Sequence, residues 1–380
     1  MNSFSIKTKI YFERHSIQYL KSIDKERAFI ITDPFMVQSK AIDKILNIIK
    51  EKNIAYEVFS DIKPDPPIEI VAKGIKKMQN FRPDIVISLG GGSAIDAAKS
   101  ILMFTGTMLN MEKDKYEKPI FVAIPTTSGT GSEVTAFSVI SNKHKKFPLF
   151  HQELVPDVAI IDIDFVKTVP PRITADTALD ALTHAIEAYV SKKASDYTDA
   201  LAEKAIKNIF EYIVIAYKNG EDLYAREKLH NASCMAGIAF TNASLGLNHS
   251  MAHALGSMYN IPHGRANAIL LPYVIKYNSK SQDYKKNEAA LKYAQLSQIL
   301  GIASHDIEES VDNLIKSLRS LLRDTDTPMT LKEIYVDKKH LYDNINKMVE
   351  DTLADPCTKT NPKVPIKDDL INLFKEVYEW

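Results

Sequence analysis

Cysteine is scarce in this chain. There are two in 380 residues, Cys234 and Cys357, which excludes a disulfide framework and points to a reducing compartment. Charge of one sign is missing as well. Lys and Arg number 48, and so do Asp and Glu, so no global field draws the protein to nucleic acid or to an anionic membrane. Neither is expected as a partner. Long hydrophobic runs are also lacking: stretches such as AILL from Ala268 fall far short of the roughly 18 residues a membrane helix needs. The first residues, MNSFSIKTKIYFERH, alternate polar and apolar and carry Lys7, Lys9, Glu13 and Arg14 in place of an apolar signal core. They are predicted to form an edge strand. The expected location is the cytoplasm.

What is there suffices for two domains with buried cores: 45% of the residues are hydrophobic and 25% charged. No repeat of fixed period and no low-complexity tract interrupts them. Up to about residue 169, short runs rich in Ile and Val alternate with helical patterns. The runs end at Asp33, Ser60, Gly90, Thr127 and Asp162, and amphipathic stretches occupy 37–51 and 68–81. This alternation predicts a parallel sheet covered by helices. Residues 137–140 and 147–150, around a Lys-rich turn, read as a hairpin. The Pro170 and Pro171 pair then punctuates the chain. Beyond it, 176–191, 196–217, 223–240, 287–300 and 308–322 repeat at the helical period. The expectation is an α/β domain over 1–169 with a Rossmann-like, parallel-sheet nucleotide-binding core, followed by an all-α metal-binding domain over 170–380. A cleft between two such domains is a common place for catalysis.

Two loops suit phosphate. GGGSAIDAAK, from Gly90 to Lys99, follows an apolar strand and opens a helix. Its glycines let the backbone turn tightly, and the amides of the next helix then face an anion. It is neither a GxGxxG fingerprint nor a P-loop. IPTTSGTGSEVT, from Ile124 to Thr135, also follows a strand and offers hydroxyls for phosphate or ribose, including Thr126, Thr127 and Thr130. Either loop alone reads equally well as a turn; two at strand ends of one α/β domain favour a ligand. Asp33, at the end of AFIITD, can accept from ribose hydroxyls and repel a 2′-phosphate, which favours NAD(H). It reads equally as a turn aspartate before Pro34.

Metal-ligating residue types cluster in the second half. Asp180 and His184 are spaced i, i+4 and share a helix face. His249 and His253 repeat that spacing, and His263 follows, so three of the ten histidines fall within fifteen residues. Imidazole and carboxylate suit a divalent transition ion such as iron(II) or zinc, and neither cysteine has a ligand spacing.

These motifs, in this order, resemble the iron-containing (group III) alcohol dehydrogenases. GGGSAIDAAK, IPTTSGTGSEVT, DALTHAIEAYVS and LGLNHSMAHALG with IPHGRANAILLP carry the likeness, which covers essentially the whole chain. Within the family it is strongest to the branch of propanediol-utilisation operons, through MNSFSIKTKIYF, KFPLF, VPPRITADTALDALTHA and ASDYTDALAEKA. The resemblance implies that Asp180, His184, His249 and His263 bind iron(II), with zinc as the alternative, and that His253 serves proton relay or positioning. It implies Gly91, Gly92 and Ser93 at the diphosphate of NAD(H), Thr126, Thr127 and Thr130 in the second cofactor loop, and Asp33 as the acid of NAD preference. The same resemblance implies that Asp65 falls near the adenosine, that Lys146 reaches the cofactor, and that Phe240, Leu245 and Cys357 line the substrate side.

The implied activity is interconversion of a short-chain primary alcohol and its aldehyde, propanal and 1-propanol first. Ethanol, butanol and lactaldehyde are the alternatives. A homodimer is implied, as is packing with other enzymes inside a bacterial propanediol microcompartment. Two other readings compete. The related phosphosubstrate enzymes, dehydroquinate synthase and glycerol-1-phosphate dehydrogenase, want several basic residues at the metal helices, which carry Arg265 and little else. An inactive NADH-binding sensor or structural subunit has no need of the intact ligand set and both loops.

Overall fold

The computed structural model describes residues 3–111, 117–142, 145–280 and 282–379. The backbone divides into two compact units, Ser5–Thr168 and Val169–Trp380, the second joined by the first residues through Phe4.

The first unit runs β1 (Lys9–Phe12), β2 (Arg27–Thr32), α1 (Pro34–Gln38), α2 (Asp43–Glu51), β3 (Ala55–Phe59), α3 (Ile68–Phe81), β4 (Ile85–Gly90), α4 (Gly92–Met111), β5 (Ile120–Pro125), β6 (Phe137–Asn142), β7 (Lys145–Phe150) and β8 (Val158–Ile161). Six of these strands form one sheet in the order β1-β8-β5-β4-β2-β3, and every neighbouring pair is parallel. Successive side chains point to opposite faces. Ala28 and Ile30 meet Ile45 and Ile49 of α2, while Phe29 and Ile31 meet Val71 of α3 and Ile95 and Ile101 of α4. With both faces covered, the strands read as unbroken apolar runs rather than alternating ones. Of the alternating N-terminal segment, only Lys9–Phe12 forms a strand, β1, at one edge of the sheet beside β8.

Strand order places the ligand crevice. From β2 the chain moves to β3 on one side and then returns to lay β4 on the other side of β2. In open α/β sheets such a reversal opens a crevice at the carboxyl ends of the two diverging strands. Asp33 follows β2, and the glycine triplet ends β4.

The stretch 37–51, one helix by its periodicity, is two. Asp33 caps α1, accepting from the Met36 amide at 3.0 Å, and Pro34 occupies the first turn. Lys40 then adopts a left-handed conformation (φ 60°), and its amide and that of Ile42 close the turn onto the carbonyls of Val37 and Met36. Apolar periodicity continues across the break because α2 packs on the same face. β6 and β7 pair as an antiparallel hairpin, Phe137 opposite Phe150 and Ile140 opposite Phe147. Turn residues 143 and 144 lie outside the described residues.

The second unit is helical: α5 (Pro171–Val190), α6 (Asp196–Lys218), α7 (Leu223–Ala243), α8 (Leu247–Tyr259), α9 (His263–Ser279), α10 (Glu288–Ile299), α11 (Ile307–Asp324), α12 (Lys338–Ala354) and α13 (Lys367–Glu379). α5 begins five residues before the periodicity suggests. Pro171 stands at its first position, where a missing N–H costs nothing and the fixed φ already fits a helix. Every residue of α5 from Ala178 to Val190 is buried, as expected of a helix packed on all sides. α8, α9, α12 and α13 share a core of Leu247, Met251, Leu255, Ile269, Leu270, Leu341, Met348 and Phe374. Among the described residues no helix is long and apolar enough to cross a membrane.

Candidate metal centre and nucleotide cradle

A helix buried all round has no ordinary reason to carry Asp, His and Glu. α5 carries Asp180, His184 and Glu187, spaced i, i+4, i+7 and all buried. α8 adds His249, and α9 opens on His263. One donor atom from each of Asp180, His184, His249 and His263 lies within 4.8 Å of all the others. Asp180 Oδ1 stands 3.5 Å from His263 Nε2 and 3.9 Å from His249 Nε2. Neighbouring ligands of a tetrahedral ion stand about 3.4 Å apart, so the 3.5 Å pair already has that spacing and the widest pairs would draw in by about an ångström or slightly more around such an ion. Three imidazoles and one carboxylate are the donor chemistry of a borderline divalent ion. Burial, then the neighbouring imidazoles of His184, His263 and His253, push His249 well below its ordinary range. A neutral ring is the form that binds metal.

The surroundings orient these donors. Glu187 Oε2 lies 2.5 Å from His249 Nδ1, and Oε1 accepts the Asn248 amide at 2.6 Å. Holding Nδ1 leaves Nε2 toward the cluster, the carboxylate–histidine arrangement common behind metal ligands. Burial drives Glu187 up to about 8, against the backbone amides of Gly246, Asn248 and His249 that lower it. Asn267, one turn after His263, donates to Asp180 Oδ1 at 2.7 Å and approaches His249 Nε2 and His263 Nε2 at 3.1 and 3.2 Å. Its oxygen accepts from Asn248 at 3.0 Å. Gly264 permits the close approach of α9 to α5: a Cβ there would lie 2.0 Å from the Asp176 carbonyl oxygen. Arg265 beside it is taken up by Asp176, at 3.1 and 2.5 Å.

In the first unit Asp33, Gly91, Gly92, Ser93, Thr126, Thr127 and Thr130 follow the ends of β2, β4 and β5, whereas Asp65 precedes α3 and Lys146 lies on β7. The Thr126 amide bonds the Gly90 carbonyl at 3.1 Å, and Thr127 and Thr130 lie directly against the glycine triplet. A Cβ on Gly92 would fall 2.9 Å from Thr130 Cγ2, so the two loops pack only because that position is glycine. Ser93 Oγ accepts the Asp65 amide at 3.3 Å. Asp65 in turn pairs with Lys146 at 2.7 Å on the surface. Beneath the loops, Lys99 is fully buried and donates to Ser132 Oγ, Thr135 Oγ1 and the carbonyls of Thr135 and Phe137, at 2.7–3.0 Å. Asp96, one turn earlier, accepts from Ser132 Oγ at 2.6 Å and the Val139 amide at 2.9 Å. Burial lowers Lys99 to about 8, although Asp96 and Glu133 raise it.

Residues 7–163 match the model of the iron-containing alcohol dehydrogenases, and residues 174–378 match that of the family's C-terminal region. The chain belongs to the iron-containing alcohol dehydrogenase family. It is 42% identical to the 1-propanol dehydrogenase PduQ of Citrobacter freundii, over 99% of this chain and all of that protein. It is 40% identical to the aldehyde-alcohol dehydrogenase of Streptococcus pneumoniae serotype 4, of which the whole chain spans only 46%, about half its length. The iron-containing alcohol dehydrogenase of Thermococcus thioreducens has the same fold, with a TM-score of 0.89, 32% identity and 99% of each chain covered. Iron is the metal of the family's name, and a sulfoacetaldehyde reductase of Bifidobacterium kashiwanohense with the same fold, at 26% identity and a TM-score of 0.86, was solved in complex with NAD+; these are the two cofactors expected from the sequence.

Of the residues that the family resemblance puts on the substrate side, Phe240 stacks on His184 with ring centroids 4.5 Å apart. Leu245 and Cys357 lie on two segments laced together: Thr360 Oγ1 donates to the Leu245 carbonyl at 2.6 Å. Cys357 opens onto Asp355, whose Oδ1 takes its amide at 2.9 Å. His253, one turn along α8 from His249, stacks on His263 at 5.3 Å. Sequence reasoning passed over Glu187, Asn267, Asp96, Lys99 and Asp355. Glu187 and Asn267 had a signal, since each continues the helical spacing of residues singled out, one turn on from His184 and His263. Asp355 had none.

Proposed function

We propose that this protein interconverts a short-chain primary alcohol and its aldehyde, 1-propanol and propanal first among them, with NAD(H) as hydride carrier and iron(II) as its metal. The observation that carries the reading is the convergence of Asp180, His184, His249 and His263 inside a helical core. Full-length similarity to a 1-propanol dehydrogenase supports the substrate. When bound, the metal supplies Lewis-acid polarisation of a carbonyl oxygen and the nicotinamide supplies the hydride.

The chain's own residues do the rest. Asp180, His184, His249 and His263 hold the metal; Glu187 and Asn267 fix the rings and the carboxylate that face it. Gly91, Gly92 and Ser93 present amides to the diphosphate at the start of α4. Thr126, Thr127 and Thr130 offer hydroxyls, and Lys99 with Asp96 holds that loop in place. Asp33 accepts from ribose hydroxyls, while Asp65 and Lys146 stand at the cofactor's edge. Phe240, Leu245 and Cys357 exclude water from a small apolar pocket. Chain length is then discriminated by about 1–3 kcal/mol per methylene. His253 moves the proton that the substrate oxygen gains or loses. Arg265 is engaged by Asp176, which leaves it committed to the fold and argues against a phosphorylated substrate.

The test is NADH oxidation with propanal under strict anaerobiosis, using chelator-stripped protein reloaded with iron(II) or with zinc. Activity that returns with iron and fades in air supports the proposal. Recovery with zinc alone keeps the chemistry and changes the metal. NADH binding without turnover under either metal overturns it in favour of a binding module. A homodimer located in the cytoplasm, packaged with other propanediol-utilising enzymes in a microcompartment, belongs to the same proposal. Light scattering and co-purification with the shell test it.

A further inference from the structure

We propose that Asp355 is a positioning residue that fixes the ring of His253 in the Nδ1–H tautomer, so that Nε2 is the nitrogen that carries the substrate proton. The inference rests on His253 being the proton-handling group. Asp355 Oδ2 lies 2.8 Å from His253 Nδ1, across 102 residues of sequence. The carboxylate is 15% exposed and the imidazole 44%, so the pair reaches from the interior to solvent.

Both carboxylate oxygens are committed. Oδ1 accepts from Ser250 Oγ at 3.1 Å and from the Cys357 amide at 2.9 Å, which leaves Oδ2 to the ring and prevents rotation. Burial raises the Asp355 carboxyl, but the His253 ring and Cys357 outweigh it and hold it below the ordinary range. An ionised carboxylate only accepts, so the shared hydrogen belongs to Nδ1. The ring plane is set a second time by stacking on His263, at an interplanar angle of 12°. Ser250 stands one turn before His253 on α8. One carboxylate thus ties the helix that bears His253 to the segment that bears Cys357.

Proton balance follows. In aldehyde reduction the substrate oxygen gains one proton from Nε2–H of the imidazolium. The neutral ring keeps its Nδ1–H on Asp355 and regains the Nε2 proton from solvent. Asparagine at 355 would keep an oxygen for the Cys357 amide but present an N–H donor to Nδ1. The neutral ring would then turn to the Nε2–H tautomer, an effect that is severe in the Ser-His-Asp triad.

The experiment is nitrogen NMR of [15N]histidine-labelled, zinc-loaded full-length protein at alkaline pH, where imidazole is neutral, with the His253 signals assigned by their loss in His253→Gln. We expect Nδ1–H and unprotonated Nε2 in the wild type and the exchanged pattern in Asp355→Asn. The Nε2–H pattern in the wild type overturns the proposal, with no variant needed. In turnover, Asp355→Asn should lower kcat about 10–100-fold with KM for the aldehyde nearly unchanged, and add nothing in the His253→Gln background. Asp355→Glu should recover part of the loss. Equal losses from Asp355→Asn with and without His253 would show a merely structural role. An unchanged kcat in His253→Gln would sink the reading of His253 as proton handler, while the NMR pattern would still decide whether Asp355 sets the tautomer.

Discussion

A single methyl group at residue 264 tests how tightly the candidate metal centre depends on helix packing. Gly264 is the second residue of α9, next to His263. A Cβ there would stand 2.0 Å from the Asp176 carbonyl oxygen, 2.8 Å from the carbonyl carbon and 3.1 Å from Asp180 Cβ. The obstacle is α5 backbone, which cannot swing aside like a side-chain tip. A carbon and a carbonyl oxygen approach to about 3.3 Å at closest. Gly264→Ala therefore requires α5 and α9 to part locally by about 1.3 Å. His263 Nε2 and Asp180 Oδ1 are 3.5 Å apart across that seam. Metal–ligand distances tolerate only about ±0.2 Å, so the ligand set must loosen. We expect metal affinity to fall at least about 10–100-fold, the size of effect seen when a ligand loses its support. Overpacking adds about 1–3 kcal/mol of destabilisation, a fall in Tm of roughly 2–12 °C for a unit of this size. Metal content after dialysis at fixed free iron or zinc reads the first, and calorimetry the second. Gly256→Ala is the control: its Cβ would meet only the Ile261 carbonyl, at an ordinary 3.5 Å, and both measurements should hold. Full metal loading and an unchanged melt in Gly264→Ala would refute the claim that this close approach sets the ligand geometry.

Other expectations follow from the same contacts. Lys99→Met removes a buried ammonium and strands the oxygens it holds, so it should cost about 3–5 kcal/mol, read as a fall in the calorimetric Tm. Because burial lowers Lys99 from 10.5 to about 8, the unfolded chain binds more protons between those values. Measured against the Met variant, the wild type should therefore gain about 3 kcal/mol as pH rises from 8 to 10.5, whatever the other groups common to both proteins contribute. Parallel slopes in the two proteins would refute the assignment. Glu187→Gln should weaken metal binding about 10–100-fold by loosening His249; equilibrium dialysis gives the answer, and wild-type affinity would remove Glu187 from the site. Asp33→Ser keeps a helix cap but loses the charge. Its ratio of kcat/KM for NADPH over NADH should rise at least about 10-fold, and an unchanged ratio would mean Asp33 serves only α1.

The candidate residues were legible to different degrees. Helical spacing brought Asp180 to His184 and His249 to His253, and the spacing would have reached Glu187 and Asn267 had it been followed one turn further. The glycine triplet and the hydroxyl-rich loop were visible because backbone approach and phosphate contact restrict residue type. Their support was not: Asp96 and Lys99 look like an ordinary polar pair on a helix until burial shows that they pin the loop from below. The break at Lys40 was hidden because both helices keep one apolar face against the same sheet.

Short-range pattern thus determined the layered sheet, the helical second half and the residue types for a metal and a nucleotide, since side-chain periodicity and local backbone demands are written within a few positions of chain. Tertiary structure alone decided what those residues meet. His253 and Asp355 lie 102 residues apart, and His263 and Asp180 reach one another only because Gly264 lets two helices touch. Contacts of that kind depend on how distant surfaces fill space together, and no local periodicity encodes them.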